Sequence, residues 1–325
     1  FHPWDLSIDE ALEISRQCEA AALGYDPRIL NSEGATLGTE LGVGVYGNSN
    51  GFNHGYPISR HSLSCSVIAK ENSDMQRDYW YTTARNAGDL EAPTAVGERA
   101  ADRTVARLGA RKLPTRQAPV IFRSELAAGL LRSFTSAIRG SALYRQASFL
   151  LDALDTPVFP EWVRIEENPY LPRGLASAAF DSEGVATHRR DLVADGILRS
   201  YVLTTYSACK LGLQTTGNAG GVRNLSITKG DMDLQQLMRE MGTGLVVTEL
   251  MGQGVNTITG DYSRGAAGFW VENGDIAFPV EEITIAANLQ EMFLNLVAVG
   301  NDDENPGSVR TGSCLLYTSP SPRDS

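Results

Sequence analysis

Histidine is scarce in this sequence. There are four in 325 residues, at positions 2, 54, 61 and 188, and no two stand at the helical spacing that lets a pair of imidazoles grip one ion. His54 and His61 share the stretch "HGYPISRH", but nothing nearby nominates a third ligand, so both read as solvent-facing or hydrogen-bonded side chains. Cysteine is equally sparse: four, at 18, 65, 209 and 314, with no CxxC pair. That usage excludes a disulfide framework and a zinc ribbon, and it suits reduced thiols in a cytoplasmic setting. No apolar run approaches the roughly 18 to 20 residues needed to cross a bilayer, and no charged-then-apolar leader opens the chain. Positive charge is also short. With 28 Lys and Arg against 39 Asp and Glu, the formal net charge is -11. An acidic surface repels phosphate backbones, and no basic cluster interleaved with aromatics offsets it, so neither a nucleic acid nor a membrane is an expected partner.

Several familiar catalytic signatures are missing as well. There is no GxxxxGK[ST] and no GxSxG. The run "GVGVYG" places Gly42, Gly44 and Gly47 in a GxGxxG frame. A dinucleotide fold needs a helix to open at the third glycine, and "NSNGFNHGYP" follows instead. A glycine-rich strand and turn is the expectation. Ser62 adjoins His61, but neighbours on a strand point to opposite faces. Ser59 shares the His61 face without an orienting acid.

What remains is an ordinary globular composition, 42% hydrophobic and 21% charged, long enough for two domains. Residues 7–22 open with a capping box, Ser7 and Glu10, and carry an apolar face through Leu12, Cys18 and Ala22. A second helix is expected from Thr94 to Leu108, stopped by Gly109 and followed by Pro114. The break near 112 to 117 is the expected domain boundary. Beyond it come short β-rich runs with turn signals "DSEG", "ADG" and Asn273-Gly274, and helices "DLQQLMREMG" and "NLQEMFLNL" among them. Without a βαβ rhythm, the fold class is α+β: two domains with curved, mostly antiparallel sheets and flanking helices. Phe1 in place of Met suggests a fragment or processed form. The abrupt Ser/Pro-rich "CLLYTSPSPRDS" is expected to lie outside the fold as an artefactual tail over 314–325.

The segment "FRSELAAGLLRSF" follows the apolar run "APVIF". Leu126, Ala127, Leu130, Leu131, Phe134 and Ile138 form one apolar stripe, and Glu125 falls in the first turn, where the helix dipole favours an acid. A mid-helix Gly129 costs about 1 kcal/mol relative to alanine. Its expected return is a close helix-to-sheet contact, with a groove function held as the alternative. In "DYSRGAAGFW", Arg264, Gly265 and Ala266 form a possible peptide-contact loop. Open backbone there would accept a peptide by strand addition, with Arg264 anchoring a carboxylate. A glycine-rich approach to the Asn273 hairpin explains the same letters.

The blocks "VIFRSELAAGLLRSFTSAIRG", "RHSLSCSVIAKENSDMQRDYWYT", "TTGNAGGVRNL" and "ELMGQGVNTITGDYSRGAAGFWVENGDIAFPVEEITIAANL" together resemble the PmbA/TldE branch of the TldD/PmbA metalloprotease family, peptidase U62, also called modulators of DNA gyrase. The resemblance runs from about residue 6 to about residue 313. It implies a central domain over 1–112, a C-terminal domain over 113–313, and a family N-terminal domain that is missing here. In the TldD branch the corresponding helix carries His-Glu-x-x-x-His, and a later cysteine completes a metal site. On this sequence the first histidine falls on Ser124, the glutamate on Glu125, the second histidine on Gly129 and the cysteine on Thr311.

That pattern implies no catalytic and no metal-ligating residue in this chain, and no cofactor of its own. It implies instead a zinc or iron ion in a TldD-like partner subunit. The expected function is a subunit of a heterodimeric protease complex, acting in the cytoplasm on unfolded polypeptides or leader peptides. A non-catalytic homo-oligomeric peptide- or protein-binding role is the alternative, and whether the chain is itself an enzyme stays open at this stage.

Overall fold

The computed structural model describes residues 1–304 and 307–317. The chain divides into two compact units, Phe1–Ala110 and Arg111–Ser325.

In the first unit, α1 (Ile8–Tyr25) starts at Ser7, whose side chain accepts from the Glu10 amide while Glu10 reaches back to the Ser7 amide. Three antiparallel strands follow: β1 (Ile29–Gly47), β2 (Asn53–Glu71) and β3 (Asp74–Ala84), in that order. The β2–β3 link turns at Asn72, in a left-handed conformation. Helix α2 (Pro93–Ala106) closes the layer. Cys18, Ala22, Leu63, Cys65, Val67, Trp80, Val96 and Ala100 form the core between helices and sheet. Cys18 and Ala22 are buried as their spacing predicts, but Leu12 stays 46% exposed. The apolar face is therefore narrower than expected. Gly97 explains how tightly the helices cross: a Cβ there would sit 2.0 Å from the Cys18 carbonyl oxygen. Strand β3 pairs with β2 only between Glu71 and His61, so the Gly42–Gly47 run lies in a two-stranded ribbon. It is strand, not a phosphate loop.

The second unit holds β4 (Val120–Phe122), α3 (Ser124–Ala137), α4 (Gly140–Leu143), β5 (Ile165–Glu167), β6 (Arg190–Ala194), β7 (Ile197–Leu198), α5 (Thr205–Leu211) and β8 (Leu225–Ile227). It continues through α6 (Leu234–Met241), β9 (Gly244–Met251), β10 (Asp261–Glu272), β11 (Asp275–Asn288), α7 (Leu289–Leu294), β12 (Leu296–Val299), β13 (Val309–Arg310) and β14 (Cys314–Leu316). One sheet has the order β11-β10-β9-β4-β14-β12, and a second the order β13-β8-β5-β6-β7. Only β4–β9 and β8–β13 among these pairs are parallel.

Alternation sorts the first of these sheets into two faces. Ile121, Val246, Val271 and Leu315 meet α6, while Val120, Phe122, Val247 and Ala266 meet the main core with α3 and residues of the other sheet. The β10–β11 turn uses Asn273 and Gly274, both left-handed.

One expectation fails here. Cys314–Leu316 is not outside the fold: it pairs with both β4 and β12, and all three residues are buried. The reason is local chemistry. "CLL" is an apolar triplet that fills a slot between β4 and β12, whatever the polarity of the letters after it. The expected tail beyond Tyr317 falls outside the described residues.

Candidate functional site

Strand β4 is buried along its length, and the chain leaves it at Arg123, whose amide donates to the Val247 carbonyl at 3.3 Å. Helix α3 begins at the next residue. No side chain caps it, since Arg123 occupies the cap position. The predicted stripe is the buried one: Ala127, Leu130, Leu131, Phe134 and Ile138 all face the core. Phe134 sets edge-on against Phe159 and Phe293 at 5.2 and 5.9 Å.

Glu125 and Gly129 lie one turn apart on the less buried side. The Ser124 hydroxyl donates to the Glu125 carboxylate at 3.3 Å, and the Arg123 guanidinium stands 3.7 Å from it. A Cβ at Gly129 would meet nothing within 4 Å. The expected close helix-to-sheet contact at Gly129 is therefore absent, because α3 turns its other side to the sheets. The glycine opens onto space instead.

Thr311 follows β13, against which α3 packs. It is fully buried. Its hydroxyl donates to the Gly312 carbonyl at 2.8 Å and lies 3.6 Å from the Cys314 sulfur. Asp302 fixes Ser313, two residues after Thr311, accepting from its amide and hydroxyl at 2.7 and 2.6 Å. Burial pushes the Cys314 thiol up to about 12, so it stays protonated at neutral pH.

The positions at which the family resemblance puts metal ligands therefore supply two hydroxyls, one hydrogen atom in place of a side chain, and a carboxylate already engaged by its neighbours. A zinc-like ion wants imidazoles, thiolates or free carboxylates. This donor set does not fit one. Among the described residues no group of three His, Cys, Asp or Glu side chains has metal-binding proximity.

The second predicted region is placed differently from its expectation. Arg264, Gly265 and Ala266 lie inside β10, with Gly265 and Ala266 paired to β9 on one side and all three to β11 on the other. There is no open edge for strand addition at Gly265 and Ala266. Ala266 is fully buried, and a Cβ on Gly265 would touch Met251 at 3.4 Å. The Arg264 side chain is half-buried, its Nη2 donating to the Leu250 carbonyl at 3.3 Å.

Sequence reasoning missed Thr248 and Tyr262, on β9 and β10. Both are buried, and neither hydroxyl finds a hydrogen-bond partner. No sequence signal marks them, since an isolated Thr and Tyr in strands ordinarily report packing.

The "TTGNAGGVRNL" block wraps a buried carboxylate. Glu167 accepts from the Arg223 amide at 2.6 Å and the Asn218 side-chain amide at 2.8 Å, and pairs with Arg190 at 2.9 Å.

Comparison with known proteins fits this architecture. The PmbA/TldA metallopeptidase central domain matches residues 1–108, and the C-terminal domain of the same family matches residues 115–318. Metalloprotease PmbA of Escherichia coli O157:H7 is 55% identical over 316 residues, spanning 97% of this chain and 70% of that protein. The chain belongs to the PmbA/TldD metallopeptidase family. A second member of the family, the Metalloprotease PmbA homolog of Haemophilus influenzae, is 51% identical over 97% of this chain and 70% of its own length. A modulator-of-DNA-gyrase protein from Bacteroides thetaiotaomicron has the same fold, with a TM-score of 0.91 at 31% identity over 96% of this chain and 71% of that one. TldE from Thermococcus kodakarensis superposes with a TM-score of 0.85 over 97% of this chain and 74% of that chain; at 20% identity this likeness is one of fold. No helix among the described residues is long and apolar enough to cross a membrane.

Proposed function

We propose that this chain is the metal-free subunit of a two-subunit metalloprotease of the PmbA/TldD family. The ion, zinc or iron, sits in a TldD-like partner, and the pair acts on unfolded polypeptides or leader peptides in the cytoplasm. One observation carries this reading: at Ser124, Gly129 and Thr311 the helix and the β13 turn present no side chain able to hold a transition metal, although the fold around them is intact. Glu125 keeps the place of an acid that would serve as general base on a metal-bound water. Here it is held by Arg123 and Ser124.

The space above Gly129 then serves as part of a surface for an extended peptide or for the partner subunit. The test is elemental analysis and peptidase assay of the chain purified alone and after co-expression with a TldD-like subunit. The expected result is no stoichiometric metal and no peptidase alone, and about one metal per heterodimer with chelator-sensitive activity together. Stoichiometric zinc or iron in the isolated chain defeats the proposal. Recovery of self-association only, with no affinity for a TldD-like subunit, favours a non-catalytic homo-oligomer instead.

A further inference from the structure

Three polar side chains on one patch of the second unit are left without the partners that buried polar groups almost always have. They are the Thr248 hydroxyl, the Tyr262 hydroxyl and the Nε of Arg264, the last two lying near each other without a well-formed hydrogen bond. Tyr262 is 3% exposed and Thr248 is 6% exposed, so bulk water does not satisfy them.

Strand geometry puts the three on one face of the sheet. Tyr262 and Arg264 alternate with Ala266 on one face of β10, the face that meets the main core. The Tyr262 ring reaches across to Phe122 of β4, edge-on at 6.3 Å. Val247 is the register partner of Phe122, and Thr248 follows it at a bulge in β9. Two residues on, Leu250 packs against the same core, which puts Thr248 on the same face. Arg264 lies back along β9, its Nη2 donating to the Leu250 carbonyl at 3.3 Å. Arg123, whose amide is bonded to Val247, leads directly into the uncapped first turn of α3.

The chemistry of the patch selects an anion. Arg264 is a half-buried cation, and among the described residues no carboxylate pairs with it. The nearby acid on α3, Glu125, is taken up by Arg123 and Ser124, and Glu249 alternates away from Thr248. Burial keeps Tyr262 a neutral donor against the opposing pull of the Arg264 charge, and Thr248 adds a second hydroxyl donor. A guanidinium Nε and two hydroxyls, beside the positive end of a helix, match the two oxygens of a carboxylate.

We propose that Thr248, Tyr262 and Arg264 receive the α-carboxylate of a bound peptide at the carboxyl ends of β4 and β9. This rests on the reading of the chain as a peptide-handling subunit. It adds that the chain recognises a peptide by its free C-terminus, not by extending a sheet edge.

The test is fluorescence anisotropy on the full chain with a short labelled polyalanine peptide, as the free acid and as the C-terminal amide. The free acid is expected to bind about tenfold tighter or more, the range of one charge-assisted contact set. Arg264→Gln and Tyr262→Phe are expected to abolish that preference. Tyr262→Phe and Thr248→Val are expected to leave the melting temperature unchanged or raised, because each removes an unpaired buried hydroxyl. A structural role would do the opposite.

Equal binding of acid and amide by the unaltered chain overturns the receptor alone and leaves the peptide-handling reading standing. Persistence of the preference in Arg264→Gln, or a melting temperature lowered by several degrees in Tyr262→Phe, also overturns it. Absence of binding by either peptide overturns the receptor and the peptide-handling reading together.

Discussion

Replacing Gly129 with alanine separates two uses of a glycine in the middle of a helix. If the glycine were there for packing inside the chain, an added methyl would clash and destabilise. The structure gives the other sign. A Cβ at 129 meets no atom within 4 Å, and Gly129 is not among the glycines held at positive φ. Its carbonyl still accepts from the Ser133 hydroxyl at 3.1 Å, a contact a methyl does not disturb.

The gain is then the difference in helix propensity, about 1 kcal/mol, from the smaller backbone entropy alanine loses on folding. For a unit the size of Arg111–Ser325, that is a rise in melting temperature of roughly 2–4 °C. Calorimetry would show the rise, and urea unfolding should move to a higher midpoint with an unchanged slope. A fall, or no change, would refute the reasoning by showing that the space over Gly129 is filled or the helix strained there. A gain in stability combined with weaker capture of a TldD-like subunit would place the partner against that glycine.

Four further outcomes are expected. Phe134→Ala leaves a void between Phe159 and Phe293 and should cost about 3–5 kcal/mol, read as a lower urea midpoint. Gly97→Ala drives a methyl into the Cys18 carbonyl and should lower the melting temperature of the first unit, whereas the mirror test at exposed Gly24, where a Cβ meets nothing, should not. Burial raises Tyr262 to about 12 from an ordinary phenol value near 10. The unfolded chain therefore loses its proton first, so this group's contribution is intact below pH 10. It falls by about 2–3 kcal/mol as pH rises to 12, a slope that Tyr262→Phe should remove from alkaline unfolding curves. In the native protein a maleimide reagent should label exposed Cys209 and spare buried Cys18, Cys65 and Cys314, as peptide mapping would show.

Much of the local structure was legible because it is dictated locally. The Ser7–Glu10 capping box, the Asn273-Gly274 turn, the Phe134 stripe and the strand character of Gly42–Gly47 follow from neighbours within a few residues. What failed depends on distant ones. The peptide-contact reading of Arg264–Ala266 needed an open edge, and whether β10 is an edge strand is decided by β9 and β11 together. Gly129 was assigned a close contact because a glycine letter does not say which side of a helix faces the sheet. The polar residues after Cys314 to Leu316 mislead, because pairing with β12 and with β4, almost two hundred residues earlier in the chain, decides the burial of that triplet. At the candidate site, Ser124, Glu125, Gly129 and Thr311 were found through resemblance. Thr248 and Tyr262 stand out only once burial is known, because an unpaired hydroxyl has no sequence pattern.

The place of β14 has a consequence for how the chain is made. Phe122 is bonded to Cys314, about 190 residues further along, so β4 leaves the ribosome long before its neighbour exists. At ordinary elongation rates of roughly 5–20 residues per second, that strand waits on the order of ten seconds or more for its β14 flank to be mated, and for part of that time its β9 flank is open too. The first unit, whose strands are joined by short links, can mature in that interval. The second is exposed to mispairing and chaperone capture until Cys314–Leu316 has been made.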